Sequence, residues 1–102
     1  LTYPILCLGG KGIISVAANV APHLIKEMYM KFQNGDIEGA RRLHHRLTPL
    51  FDILFIDTNP IPVKKAMNLM GLAAGSPRMP LVELSEEKTE KVRAVLQSLD
   101  LL

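Results

Sequence analysis

Three groups of residues in this sequence are of types that do chemistry: the run Gly9-Gly10-Lys11-Gly12, the histidines His23, His44 and His45, and the single Cys7. A glycine-rich run holding a lysine suggests a phosphate cradle. Such a cradle needs Ser or Thr after the lysine at the start of a helix, whereas here Gly12 and Ile13-Ile14 follow. The glycines are read instead as a tight loop, because residues without a Cβ follow backbone paths that others resist. On a helix, adjacent His44 and His45 point about 100° apart and cannot share a metal as an i,i+4 pair would. With His23 distant in sequence, no metal site is expected, and the histidines read as solvated or capping. Cys7 has no basic neighbour in sequence to favour a thiolate and is expected to be buried and inert.

The elements that must position these groups are one apolar run and a series of helices. Ile13 to Val16 is β-branched apart from Ser15 and too apolar for a surface strand, so it suits a central strand, about 12–17, covered on both faces. A lone strand cannot satisfy its own backbone groups, so its sheet must be supplied elsewhere. Before it, Tyr3 to Leu8 is by pattern a buried strand or a helical turn. Pro4 tilts that choice to a short helix, and Gly9 and Gly10 end it.

After it, Leu24, Ile25, Met28, Tyr29 and Phe32 recur at helical spacing, giving a helix from about Pro22 to Gln33 with Asn34-Gly35 as its stop. Tyr29 on that face is expected in the core. Asp36 can cap the next helix, whose apolar positions Ala40, Leu43, Leu47, Leu50 and Leu54 step by three and four. Pro49 interrupts that pattern, so a kink there or a boundary near Thr48 is expected, with the unbroken stripe favouring the kink. Asn59 can cap a helix with Pro60 in its first turn, burying Val63, Ala66, Met67 and Met70 and closing at Gly71. Ala73 to Pro80 is loop-like. Ser85 followed by Glu86 and Glu87 starts a last helix with Val92, Val95, Leu96 and Leu99 inward.

With 102 residues, 48% of them hydrophobic, the chain is long enough to bury a core. A net charge of +2, with its lysines and arginines scattered, gives no footprint for nucleic acid or a membrane surface. One cysteine makes no internal disulfide, and no apolar run approaches the roughly 20 residues that span a bilayer, which favours a reducing, cytoplasmic setting. Leu1-Thr2-Tyr3-Pro4 lacks an initiator Met and a cationic start, so the chain is expected to be entered midway.

The run GGKGIISVAANVAP, followed about forty residues later by Asn59-Pro60-Ile61-Pro62-Val63-Lys64, resembles the C-terminal third of the dihydrodipicolinate synthase family of pyruvate-dependent class I aldolases. The resemblance runs to Leu101-Leu102. It implies an α/β fold: the last strand and outer helices of a (β/α)₈ TIM barrel over residues 1–34, then a helical C-terminal domain over 35–102, leaving the chain mostly α. It further implies a lyase of the lysine and diaminopimelate route that condenses pyruvate, held as a Schiff base, with L-aspartate-4-semialdehyde. A homotetramer and no cofactor are implied.

In that family the Schiff-base lysine and the proton-relaying tyrosine lie on earlier strands, so no catalytic residue is expected here, and Lys11 is not promoted to that role. The resemblance places the backbone of Ile14 against bound pyruvate, and Leu8 at the contact between dimers of the tetramer. Two alternatives stay open: a sister aldolase such as an N-acetylneuraminate or keto-deoxy-sugar lyase, and a non-catalytic helical interaction module.

Overall fold

The computed structural model describes residues 1–102. Five α-helices follow in chain order: α1, Thr2–Cys7; α2, Pro22–Gln33; α3, Ile37–Ile53; α4, Ile61–Leu69; and α5, Glu86–Ser98. A single 3₁₀ turn, Ala17–Asn19, precedes α2. None of the helices is long and apolar enough to cross a membrane. The chain divides into two compact units, Leu1–Thr48 and Pro49–Leu102.

In the first unit α1 and α2 bury one face each, Leu6 on α1 and Leu24, Ile25 and Met28 on α2, with Ala17, Val20 and Ala21 of the intervening turn also inside. Pro22 occupies the first turn of α2, where its missing N–H would lack a partner in any case. The helix ends at Asn34-Gly35: Gly35 sits at φ +84, and the Asp36 N–H reaches back to the Lys31 carbonyl at 2.9 Å. Asp36 then caps α3, its carboxylate accepting from the Gly39 N–H at 2.9 Å. A Cβ at Gly39 would overlap that carboxylate, so the glycine makes room for the cap.

Helix α3 carries the stripe Ala40, Leu43, Leu47 and Leu50, continued by Leu54 just past its end, all buried. It continues through Pro49 to Ile53 instead of ending at Thr48. Its apolar stripe stays in register on both sides of the proline. Burying it outweighs one lost backbone hydrogen bond. The hydroxyl of Thr48 donates to the His44 carbonyl at 2.9 Å just ahead of the proline.

In the second unit α4 and α5 pack together through Ile61, Val63 and Ala66 against a layer of Val92, Leu96 and Leu99. Ser85 caps α5, accepting from the Lys88 N–H at 3.4 Å, with Glu86 and Glu87 in the first turn. The irregular segment 72–78 is held to α4 by side chains. Lys64 Nζ donates to the carbonyls of Ala74 and Ser76 at 3.1 and 3.3 Å, and Asn68 donates to the Gly75 carbonyl at 2.9 Å.

Three expectations need correction, while the strand expected at 12–17, whose sheet must come from elsewhere, stays unpaired here. Residues 10–15 are neither helix nor strand, and the chain coils into the 3₁₀ turn from Ala17. A strand is defined by its ladder, and the run at 12–17 finds no partner strand within these residues. Asn59 does not cap α4. Pro60 occupies that position without a side-chain cap, the Ile61 N–H reaches the Thr58 carbonyl at 2.9 Å, and Pro62 removes one donor of the first turn. Cys7 is exposed, because it lies off the face on which α1 buries Thr2 and Leu6. Tyr29 is half-buried, at the rim of the core instead of inside it.

Candidate functional site

The glycine loop starts by folding back on α1. Gly9 takes φ +91, a left-handed conformation that a side chain would resist, and its N–H reaches the Leu6 carbonyl at 3.0 Å. The Gly10 N–H then donates to the Ile5 carbonyl at 2.9 Å. A Cβ on Gly10 would overlap both the side chain and the backbone of Ile5, so only glycine allows this approach. The next fastening is polar: the Tyr29 hydroxyl, from α2, donates to the Lys11 carbonyl at 3.2 Å.

Beyond Lys11 the backbone is open. A Cβ at Gly12 would meet nothing within 4 Å, Ile13 is half-buried, and Ile14 projects with a relative exposure of 109%. Order resumes at the 3₁₀ turn, where the Val16 carbonyl accepts from both the backbone and the side-chain amide of Asn19 at 3.1 Å, and the Ser15 carbonyl accepts from the Ala18 N–H at 3.3 Å. Under the loop lies a cavity of about 280 Å³ whose lining includes Thr2, Lys11, Gly12, Ile13, Ile25 and Tyr29.

This arrangement can bind, but it lacks the parts of a reaction centre. The Lys11 side chain is exposed, so its amine is not desolvated as a nucleophilic lysine requires, and the Tyr29 proton is committed to a carbonyl. The cavity is mostly apolar but also carries Thr2, Lys11, Lys26 and Tyr29, and Ile14 is not part of its lining. Leu8 is 89% exposed at the end of α1, close in sequence to this loop but outside the cavity lining.

The histidines stand elsewhere. His23 is exposed, and no group of three or more His, Cys, Asp or Glu side chains converges as a metal site would require. His44 is half-buried, not solvated as expected: its ring lies 5.7 Å from that of Tyr3 at 34° and 5.4 Å from that of His45 at 67°. Tyr3 in turn meets Phe32 edge-on at 6.0 Å. Burial, and secondarily the neighbouring His45, hold the His44 imidazole below its ordinary range. Burial and the adjacent Cys7 push the Tyr3 phenol up.

Sequence reasoning missed the Tyr29 clip and the Tyr3–His44 stack. Both depend on contacts between segments far apart in the chain, and periodicity reports only which face is apolar. A half-polar aromatic at the edge of an apolar face was the available signal for Tyr29, since a tyrosine hydroxyl near a core seeks a partner.

Comparison with known proteins assigns the whole chain. The dihydrodipicolinate synthetase family profile matches residues 1–99. The 4-hydroxy-tetrahydrodipicolinate synthase of Archaeoglobus fulgidus is 78% identical over 102 residues, covering 100% of this chain and 35% of the relative. That of Methanospirillum hungatei is 54% identical over 100 residues, covering 98% and 34%. The crystal structure of dihydrodipicolinate synthase from Thermotoga maritima superimposes with a TM-score of 0.94 at 46% identity, covering 99% of this chain and 34% of that one. The chain thus spans about a third of the length of the relatives it matches. Its fold is that of the C-terminal part of their (β/α)₈ barrel with the helices that follow, which is why it is nearly all helical by itself. The chain belongs to the dihydrodipicolinate synthetase family.

Proposed function

We propose that this chain serves a cytoplasmic 4-hydroxy-tetrahydrodipicolinate synthase, a lyase that condenses pyruvate with L-aspartate-4-semialdehyde in lysine and diaminopimelate biosynthesis. The observation that carries the reading is the 78% identity across all 102 residues to an enzyme of that name. In this reading residues 1–34 close the barrel and residues 35–102 form its helical extension. The Schiff-base lysine and the catalytic tyrosine come from the remainder of the barrel, and the complete enzyme assembles as a homotetramer.

Ile14 is the substrate-site residue of this chain in the proposal. Active sites of such barrels lie at the C-terminal ends of the strands, and the run holding Ile14 is the barrel's last strand in this reading. The family membership supports this placement, since the resemblance sets the backbone at Ile14 against bound pyruvate. Leu8 is the contact between dimers; a leucine 89% exposed at a helix end is an apolar surface available for burial.

The test is a condensation assay on the complete enzyme with pyruvate and a panel of acceptors. Fastest turnover with L-aspartate-4-semialdehyde is expected. Preference for N-acetylmannosamine or a sugar-derived aldehyde would replace the reading with that of a sister lyase.

A further inference from the structure

We infer that His44 makes the contact between dimers pH-sensitive: its neutral ring, held against Tyr3, permits the contact at Leu8, and its protonation weakens that contact. The inference rests on the assembly proposed above and names its regulation. Helix α1 links the two places. Tyr3 and Cys7 stand four positions apart on one face of it, the thiol adjoining the phenol, and Leu8 follows at its end. On that face Tyr3 meets the His44 ring of α3 at 5.7 Å and the Phe32 ring of α2 at 6.0 Å. The imidazole is thus seated little more than about one turn of α1 from the contact residue.

A proton on His44 is unwelcome there for three reasons. The ring is half-buried, and an imidazolium in that position loses hydration. Burial alone is needed for this step, and every atom that the rest of the enzyme or a second protomer adds around the ring increases it. Next, the His45 ring lies 5.4 Å away, so two imidazolium ions at this pair would repel. Finally, the contact between dimers of a closed tetramer is two-fold, so whatever charge one protomer carries beside Leu8 its partner carries too. The other groups of the cluster are Tyr3 with its neighbour Cys7 from α1, Phe32 from α2, and Glu38 and Arg41, which pair with each other at 2.6 Å one turn earlier on α3. The Leu1 amino group, a peptide nitrogen in any longer chain, also acts on the imidazole. Burial first and His45 second keep the ring neutral in the folded chain. Assembly is therefore fully stable above the ordinary histidine value of about 6.5 and weakens as the pH falls below it.

Sedimentation velocity on the complete enzyme at micromolar concentration tests this, with the parent compared to His44→Gln and His44→Phe at about pH 7.5 and about pH 5.5. Neither replacement titrates, and phenylalanine keeps a ring against Tyr3. Between the two pH values the tetramer–dimer dissociation constant of the parent should rise about tenfold or more, while that of either variant should rise less than about threefold. Circular dichroism shows which variants are folded, and one folded variant suffices. A parent whose assembly does not respond to acid overturns the inference. So do folded variants that lose the tetramer with acid as steeply as the parent, or that lack it already at the higher pH. A parent that is no tetramer at the higher pH overturns the assembly proposal and the inference with it, and that outcome is distinct because it appears before any acid or variant is used.

Discussion

Lys88, in the first turn of α5, donates to the carboxylate of Asp57 at 2.6 Å, joining residues thirty-one positions apart in sequence. Asp57 also accepts from its neighbour, the Thr58 N–H, at 2.7 Å. The Lys88 hydrogen bond first, and the Thr58 N–H second, hold the Asp57 carboxyl below the usual carboxylate range. Through this pair the turn before α4 is tied to the start of α5.

A pH dependence follows from that tie. The folded form of Asp57 binds a proton less readily than the unfolded form, so its contribution to stability is present above the ordinary carboxylate pKa and is lost as pH falls through the lower folded value. Asp57→Asn should lower the melting temperature of the complete enzyme at pH 7, and the gap to the parent should close below about pH 4. Differential scanning fluorimetry across that range measures it. A gap that stays constant down to the most acidic point means the carboxylate charge contributes nothing.

Leu50 is fully buried one position after Pro49 in α3. Leu50→Ala should cost about 2–5 kcal/mol of unfolding free energy, the sum of lost transfer energy and a residual cavity. Urea unfolding followed by circular dichroism gives the number. A loss below about 1 kcal/mol would show that the site collapses around the smaller side chain.

The tetramer proposal is tested at Leu8. A carboxylate placed in an apolar contact loses hydration without gaining a partner, so Leu8→Asp should shift the complete enzyme from tetramer toward dimer at micromolar concentration. Sedimentation velocity reads the shift. A tetramer that persists in the variant removes Leu8 from the interface.

The helices of this chain were legible because their signals are local. The α2 range Pro22–Gln33 came from a five-residue apolar stripe with a proline at one end and Asn34-Gly35 at the other, and the Ser85 cap of α5 from a hydroxyl followed by two acids. Pro49 was harder, because one residue argued for a break while four leucines argued for continuity; the buried stripe decided it.

What depends on distant contacts was not legible. Asn59 was expected to cap α4 from its type alone, yet the Thr58 carbonyl and Pro60 shape that start. Cys7 was expected inside because cysteine usually is, but its side of α1 faces outward. The Lys88–Asp57 pair and the Tyr29–Lys11 bond have no sequence signature, since charge and hydroxyl type do not say which distant atom they meet.

The central claim is that the loop ending at Ile14 forms a wall of a pyruvate site, and borohydride trapping on Ile14→Asp in the complete enzyme tests it most directly. A carboxylate there meets the carboxylate of pyruvate where repulsion is poorly screened, and it draws water that displaces the keto acid from the amine. Misplacement by about 1 Å costs roughly a hundredfold in rate. With circular dichroism confirming that the variant is folded, the account predicts that the pyruvate adduct of the parent is nearly absent in the variant and that turnover falls by about that factor. A folded variant that traps pyruvate and turns over at the parent rate would contradict it.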